Sequence, residues 1–202
     1  MKKLLLTSDG FTNTKIAEEF LKLVSKPSAD IKVLFIPTAA VTEHEKFYAN
    51  KCKEELLQAG VRSENLIIYN LDRSLSPEEK GIVDVVYFTG GNTFYLIHRL
   101  RESGFDQVVK DLVQQGKVYV GVSASTVTAG PNISIAGPWD PNDVGMTEFA
   151  GLNLTHVIIA PHYTNEEREI IDKFEQESGL KVLRISDNQA FMQIDENISI
   201  IE

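Results

Sequence analysis

Short apolar runs of β type alternate with stretches of helical period along this chain, and no other feature restricts its fold as much. The runs are "KLLLTS", "IKVLFI", "NLIIY", "VDVVYF", "KVYVGV" and "HVIIA". They are apolar at consecutive positions, so both faces of each strand need cover. The intervening amphipathic stretches Asn13–Val24, Glu43–Ala59, Asn92–Ser103, Gln107–Gln115 and Asn165–Glu177 can supply it. Such alternation predicts an α/β fold: a mostly parallel sheet with helices on its two sides. The tail, "KVLRISDNQAFMQIDENISIIE", differs in character. Its strand-like runs are separated only by Ser186–Gln189 and Asp195–Asn197, which predicts antiparallel strands or a hairpin closing the domain.

The 202 residues, 43% of them hydrophobic, fit a single domain over 1–202 with a sizeable core. No apolar run reaches transmembrane length, and in "MKKLLLTSDG" Thr7, Ser8 and Asp9 end the leucine run too early for a secretory signal. A cytoplasmic protein is expected. A formal net charge of −9 gives no basic footprint for nucleic acid or an anionic membrane, leaving small molecules or peptides as substrates. The single cysteine, Cys52, excludes an intramolecular disulfide and a multi-cysteine zinc site; it reads as a thiol on a helix.

In doubly wound sheets ligands bind beyond the carboxyl ends of the strands, so the residues just after each strand are the candidates. After "VDVVYF" comes Thr89-Gly90-Gly91-Asn92-Thr93, a glycine pair that either binds an anion through its amides or merely turns the chain, with Asn92 or Thr93 as the helix cap. After "KVYVGV" comes Ser123, which is either a helix cap or a nucleophile presented on a sharp turn. After "HVIIA" comes His162. In a parallel sheet these positions share one edge, where a hydroxyl and an imidazole can meet. His156 opens the same run and belongs at the opposite end, whereas His44 and His98 lie on helical stretches as surface or packing residues. The stretch from Gly130 to Gly151 reads as a functional loop folded over the site, with Trp139 in its wall. It supplies Asp140, Asp143 and Glu148, any of which can orient the imidazole.

The ordered motifs "FTGGNTFYL", "VYVGVSAS", "PND" and "APHYTN" resemble the serine peptidases of the dipeptidase E type, peptidase family S51, which also includes cyanophycinases. The resemblance extends to "IPTAAVTEHEKFYANKCKEELLQAG" and "SDNQAFMQID". It implies a three-layer α/β/α sandwich akin to class I glutamine amidotransferases, and hydrolysis of dipeptides with an N-terminal aspartate. By the same resemblance the nucleophile is Ser123, its histidine His162 and its acid Asp143, because Asn142-Asp143 keeps the family's N-D pair. Gly91 and Ala124 match the oxyanion-hole positions. No metal or organic cofactor is called for, and both a monomer and a homodimer are compatible with the sequence.

The chain departs from the family pattern where Ser125 replaces the second glycine of G-x-S-A-G, and where the segment after His162 is short. In that segment Arg168 is flanked by Glu166, Glu167 and Glu169, a poor setting for a substrate carboxylate, so weak aspartyl specificity is expected. Two other readings fit parts of the pattern: an α/β-hydrolase esterase sharing the Ser…Asp…His order, and a flavodoxin-like binding module in which Ser123 only caps a helix.

Overall fold

In the first strand of the computed structural model, Lys3–Thr7 (β1), Leu4 and Leu6 enter one buried apolar cluster and Leu5 enters another. The same division recurs in Val33–Ile36 (β2), Val85–Phe88 (β4) and Val118–Val122 (β5), which flank one another in the sheet. Side chains of a strand alternate between faces, so a run of consecutive apolar residues feeds two cores. The helices Thr93–Glu102 (α4) and Phe105–Gln114 (α5) cover the first core with Phe94, Leu96, Ile97, Phe105, Val109 and Leu112. Thr14–Val24 (α1) and Glu43–Gln58 (α2) cover the second with Ile16, Phe20, Leu23, Cys52 and Leu56. The result is the expected α/β architecture, described over residues 1–202.

The seven-stranded sheet has the order β3-β2-β4-β5-β1-β8-β9, with β3 at Leu66–Ile68, β8 at Ala190–Ile194 and β9 at Asn197–Ile201. The first five strands are parallel; β8 runs antiparallel to β1, and β9 antiparallel to β8. The closing hairpin is thus the one read from the tail. One reading needs correction. The run "HVIIA" forms β6, Ile158–Ala160, outside this sheet, and pairs in parallel with Val182–Arg184 (β7) as a separate two-stranded sheet. The physical reason lies in β8, which occupies the edge of β1 that a further parallel strand would need. A short helix at Pro77–Ile82 (α3) was not anticipated, although Ser76 and Glu79 form a reciprocal capping box around Pro77.

Helix starts follow the side-chain chemistry at their caps. Asn13 accepts from the Ile16 amide, Thr42 and Glu45 form a capping box, and Asn92 accepts from the Tyr95 amide at 2.8 Å. The last predicted helix begins as a 3-10 turn, Asn165–Glu167, before Arg168–Ser178 (α7). No helix is long and apolar enough to cross a membrane.

Candidate active site

Strand β5 ends on a turn that few L-residues adopt. Ser123 has φ 53° and ψ −113°, and it leads directly into the helix Ala124–Ala129 (α6). Such backbone costs on the order of 1–3 kcal/mol and persists only where neighbours over-determine it. The Ser123 amide donates to the Thr7 carbonyl at 3.1 Å, and its own carbonyl accepts from the Thr126 and Val127 amides. Gly121 is obligatory, because a Cβ there would stand 2.8 Å from the Ser125 carbonyl oxygen. Although Ser123 occupies the cap position, its side chain makes no capping bond. The hydroxyl is therefore held out at the sheet edge.

Ser125, the departure from the elbow glycine, is buried and stabilises this turn. Its Oγ accepts from the Val122 amide at 2.6 Å and lies 2.9 Å from the carbonyls of Phe88 and Val122, to one of which it donates. Its carbonyl accepts from the buried Tyr119 hydroxyl at 2.9 Å. Ser125 thus cross-links the ends of β4 and β5 beneath Ser123.

His162 comes to the same edge from β6, also with positive φ, 57°. Its Nε2 lies 2.8 Å from Ser123 Oγ. On the other ring nitrogen stands Asp187, with Oδ1 2.6 Å from Nδ1. The expectation that Asp143 faces the imidazole is not met. Asp143 is exposed on a turn that Asn142 builds by bonding Met146 in both directions, Nδ2 to its carbonyl at 2.8 Å and Oδ1 from its amide at 2.9 Å. The N-D pair therefore shapes the loop. Glu148 is also exposed and lies near Arg101, while Asp140 is half-buried and accepts from the Thr93 amide at 2.8 Å.

Asp187 reaches the site because β8 is antiparallel. Ala190 pairs with Thr7, so the turn before β8 lies at the carboxyl edge of the parallel strands. Ser8, wholly buried just after β1, joins the parts: its Oγ accepts from the His162 amide at 2.6 Å and donates to Asp187 Oδ1 at 2.9 Å. Thr12 and Asn13 bond the carbonyls of Asp187 and Asn188. Sequence reasoning missed Asp187 and Ser8; the available signal was an acid in the turn before a terminal strand that pairs back onto β1.

Ser123 and His162 separate two cavities. One, of about 190 Å³, contains Gly91, Ala124, Trp139 and Asp140. The other, of about 340 Å³, contains Asp9, His44, Tyr48, Gly90 and Asp187. The loop after α6 does form a wall of the first cavity, but Trp139 is 47% exposed, at its rim. His44, read as a surface residue, lines the second cavity because the first turn of α2 overhangs the strand ends. His156 is exposed ahead of β6, and His98 is partly buried on α4. Cys52 also borders the second cavity, where burial pushes its thiol up to about 12.

Gly91 has φ 138°, and a Cβ on it would stand 2.0 Å from the Ala39 carbonyl oxygen, so only glycine fits. Neither its amide nor that of Ala124, the first residue of α6, donates to a protein acceptor, and both residues line the first cavity. Two free donors thus share the first cavity with Ser123.

The Ser125 network predicts its own cost. Ser125→Ala removes the acceptor for the Val122 amide and should lower unfolding free energy by about 1–3 kcal/mol in urea denaturation. Unchanged stability would show that the hydroxyl carries no part of the elbow.

The comparisons with known proteins agree over nearly the whole chain. The model for peptidase family S51 matches residues 4–201. The uncharacterized peptidase PM1590 of Pasteurella multocida (strain Pm70) is 30% identical, covering 97% of this chain and 95% of its own length. Peptidase E of Salmonella newport (strain SL254) is 32% identical over 82% of this chain and 70% of its own. A crystal structure from Listeria monocytogenes EGD-e superposes with a TM-score of 0.83 at 29% identity, covering 99% of this chain and 98% of that one. With the family match running from the first strand to the last, this chain belongs to peptidase family S51 and is a peptidase.

Proposed function

We propose that this peptidase hydrolyses dipeptides or short peptides through a covalent acyl-enzyme, with Ser123 as nucleophile, His162 as general base and acid, and Asp187 orienting the imidazole. The observation that carries the reading is the continuous chain from Ser123 Oγ to His162 Nε2 at 2.8 Å and from Nδ1 to Asp187 at 2.6 Å. A serine serving only as a cap would bond its own helix, and Ser123 does not.

In the acylation step Oγ attacks the carbonyl carbon and its proton passes to Nε2. The amides of Gly91 and Ala124 receive the oxyanion; losing one such donor costs about 10²–10³ in kcat in comparable sites. The C–N bond then breaks and Nε2 returns the proton to the leaving amine. Water attacks the acyl-enzyme with Nε2 again taking a proton, and the acid product leaves as Oγ regains one. Asp187 keeps the proton on Nδ1, so that Nε2 is the basic nitrogen facing the serine. The order along the chain is Ser123…His162…Asp187, unlike the Ser…Asp…His order of α/β-hydrolases, and this favours the peptidase over the esterase reading.

Kinetics of purified variants on short peptides should separate the roles. Ser123→Ala abolishes turnover, His162→Ala lowers kcat by at least about 10³-fold, and His156→Ala leaves kcat/KM within a few-fold. Equal losses in the two histidine variants would overturn the assignment.

The carboxylates make the sharper contrast. Asp187→Ala should cost about 10³–10⁴ in kcat, whereas Asp143→Ala should leave it within a few-fold. The reverse pattern would return the orienting role to Asp143.

A further inference from the structure

Asp140 lies on the wall of the first cavity, beside the serine and the two free amides, and no lysine or arginine lines that cavity or the second one. Its Oδ2 is fixed by the Thr93 amide at the start of α4. It forms no ion pair, and burial pushes its carboxyl above the ordinary range despite that hydrogen bond. A half-buried carboxylate held only by the amide and hydroxyl of Thr93, with no lysine or arginine beside it, gains from a cation that enters next to it.

The other acid in this cavity, Glu167, is already engaged: its Oε2 accepts from the Thr164 amide at 2.8 Å and from the Thr164 hydroxyl at 2.5 Å. The remaining wall includes Val127, Ile135, Ala136 and Ala160, which offer no polar side-chain partner. Arg168, the first basic residue after the histidine, is exposed on α7 and lines neither cavity.

A substrate whose carbonyl carbon meets Ser123 Oγ carries its α-nitrogen only two bonds away. Ser123 borders both cavities, but the acids of the second are engaged, Asp9 by Lys51, Glu45 by the cap of α2 and Asp187 by His162, so the first is the cavity that offers an incoming ammonium a carboxylate without a cation partner. We propose that Asp140 anchors the α-ammonium group of the substrate's N-terminal residue and that the apolar wall receives an uncharged side chain. The enzyme is then a dipeptidase for free, apolar N-terminal residues. This rests on the Ser123 reading above. An aspartyl side chain in the same cavity would bring a carboxylate against Asp140 and Glu167 with no basic partner, an arrangement that costs free energy wherever water is excluded.

The test is a kcat/KM series on Leu-Leu, Ala-Leu, Asp-Leu and N-acetyl-Leu-Leu with the wild type and Asp140→Asn, together with reaction of both proteins with a fluorophosphonate. Asparagine keeps an acceptor for the Thr93 amide, so the variant preserves the local fold; thermal unfolding checks this. The wild type should prefer Leu-Leu to Asp-Leu by at least tenfold and to N-acetyl-Leu-Leu by about 100-fold. In Asp140→Asn, Leu-Leu should fall by about 30-fold or more and the gap to the acetylated peptide should shrink below tenfold. A wild-type preference for Asp-Leu, an unaltered gap in the variant, or probe reaction without hydrolysis of any of these peptides would overturn the anchor while leaving the nucleophile in place. Failure of the wild type to react with the probe would instead overturn the Ser123 reading on which the anchor rests.

Discussion

The positive-φ turn at Ser123 is the constraint on which the rest of the site depends. It converts the end of a fully buried strand into an outward-facing hydroxyl, and its strain must be carried by packing on every side. Thr7 on β1 accepts the Ser123 amide, Ser125 ties the ends of β4 and β5 together, and Gly121 leaves room for the Ser125 carbonyl. Thr7 and Gly121 belong to strands of the central sheet, and Ser125, in the first turn of α6, bonds the ends of two of them, so the Ser123 turn is anchored to the sheet on both sides. Within this chain Ser125 stands where the family elbow has glycine, and it adds side-chain hydrogen bonds that glycine lacks.

The second half of the site is assembled from outside the parallel strands. His162 follows a three-residue strand paired only with β7, and Asp187 belongs to the turn that leads into β8. Neither is fixed by the parallel strands alone. Ser8 makes the junction, bonding the backbone of one and the carboxylate of the other from a buried position just after β1. A hydroxyl that both accepts and donates suits this place, since it satisfies an amide and a carboxylate at once.

What was legible in the sequence follows from which signals are local. The strands of the sheet, both faces of the core and the turn at Ser123 are written in consecutive residues: "KVYVGVS" announces a buried strand ending in a small-residue turn. The convergence of Ser123 and His162 was also legible, although by a different route, since β6 lies outside the sheet where it was expected. Asp187 was hidden because its position depends on β8 pairing antiparallel to β1, a contact between opposite ends of the chain. The N-D pair misled for the converse reason: Asn142 is a turn former whose bonds to Met146 leave its neighbour facing solvent. Ser8 carried no signal beyond ending an apolar run, and its role appears only once three separate segments are brought together.

On the proposed mechanism the strained turn presents an activated hydroxyl at Ser123. The direct measurement is mass-spectrometric mapping of the adduct formed by a fluorophosphonate, digested and sequenced to the modified residue. The expected result is one phosphonylated site per chain, on the peptide containing Ser123, and its loss when His162 is replaced by alanine. An adduct on another serine, or none while the protein still cleaves peptides, would contradict it.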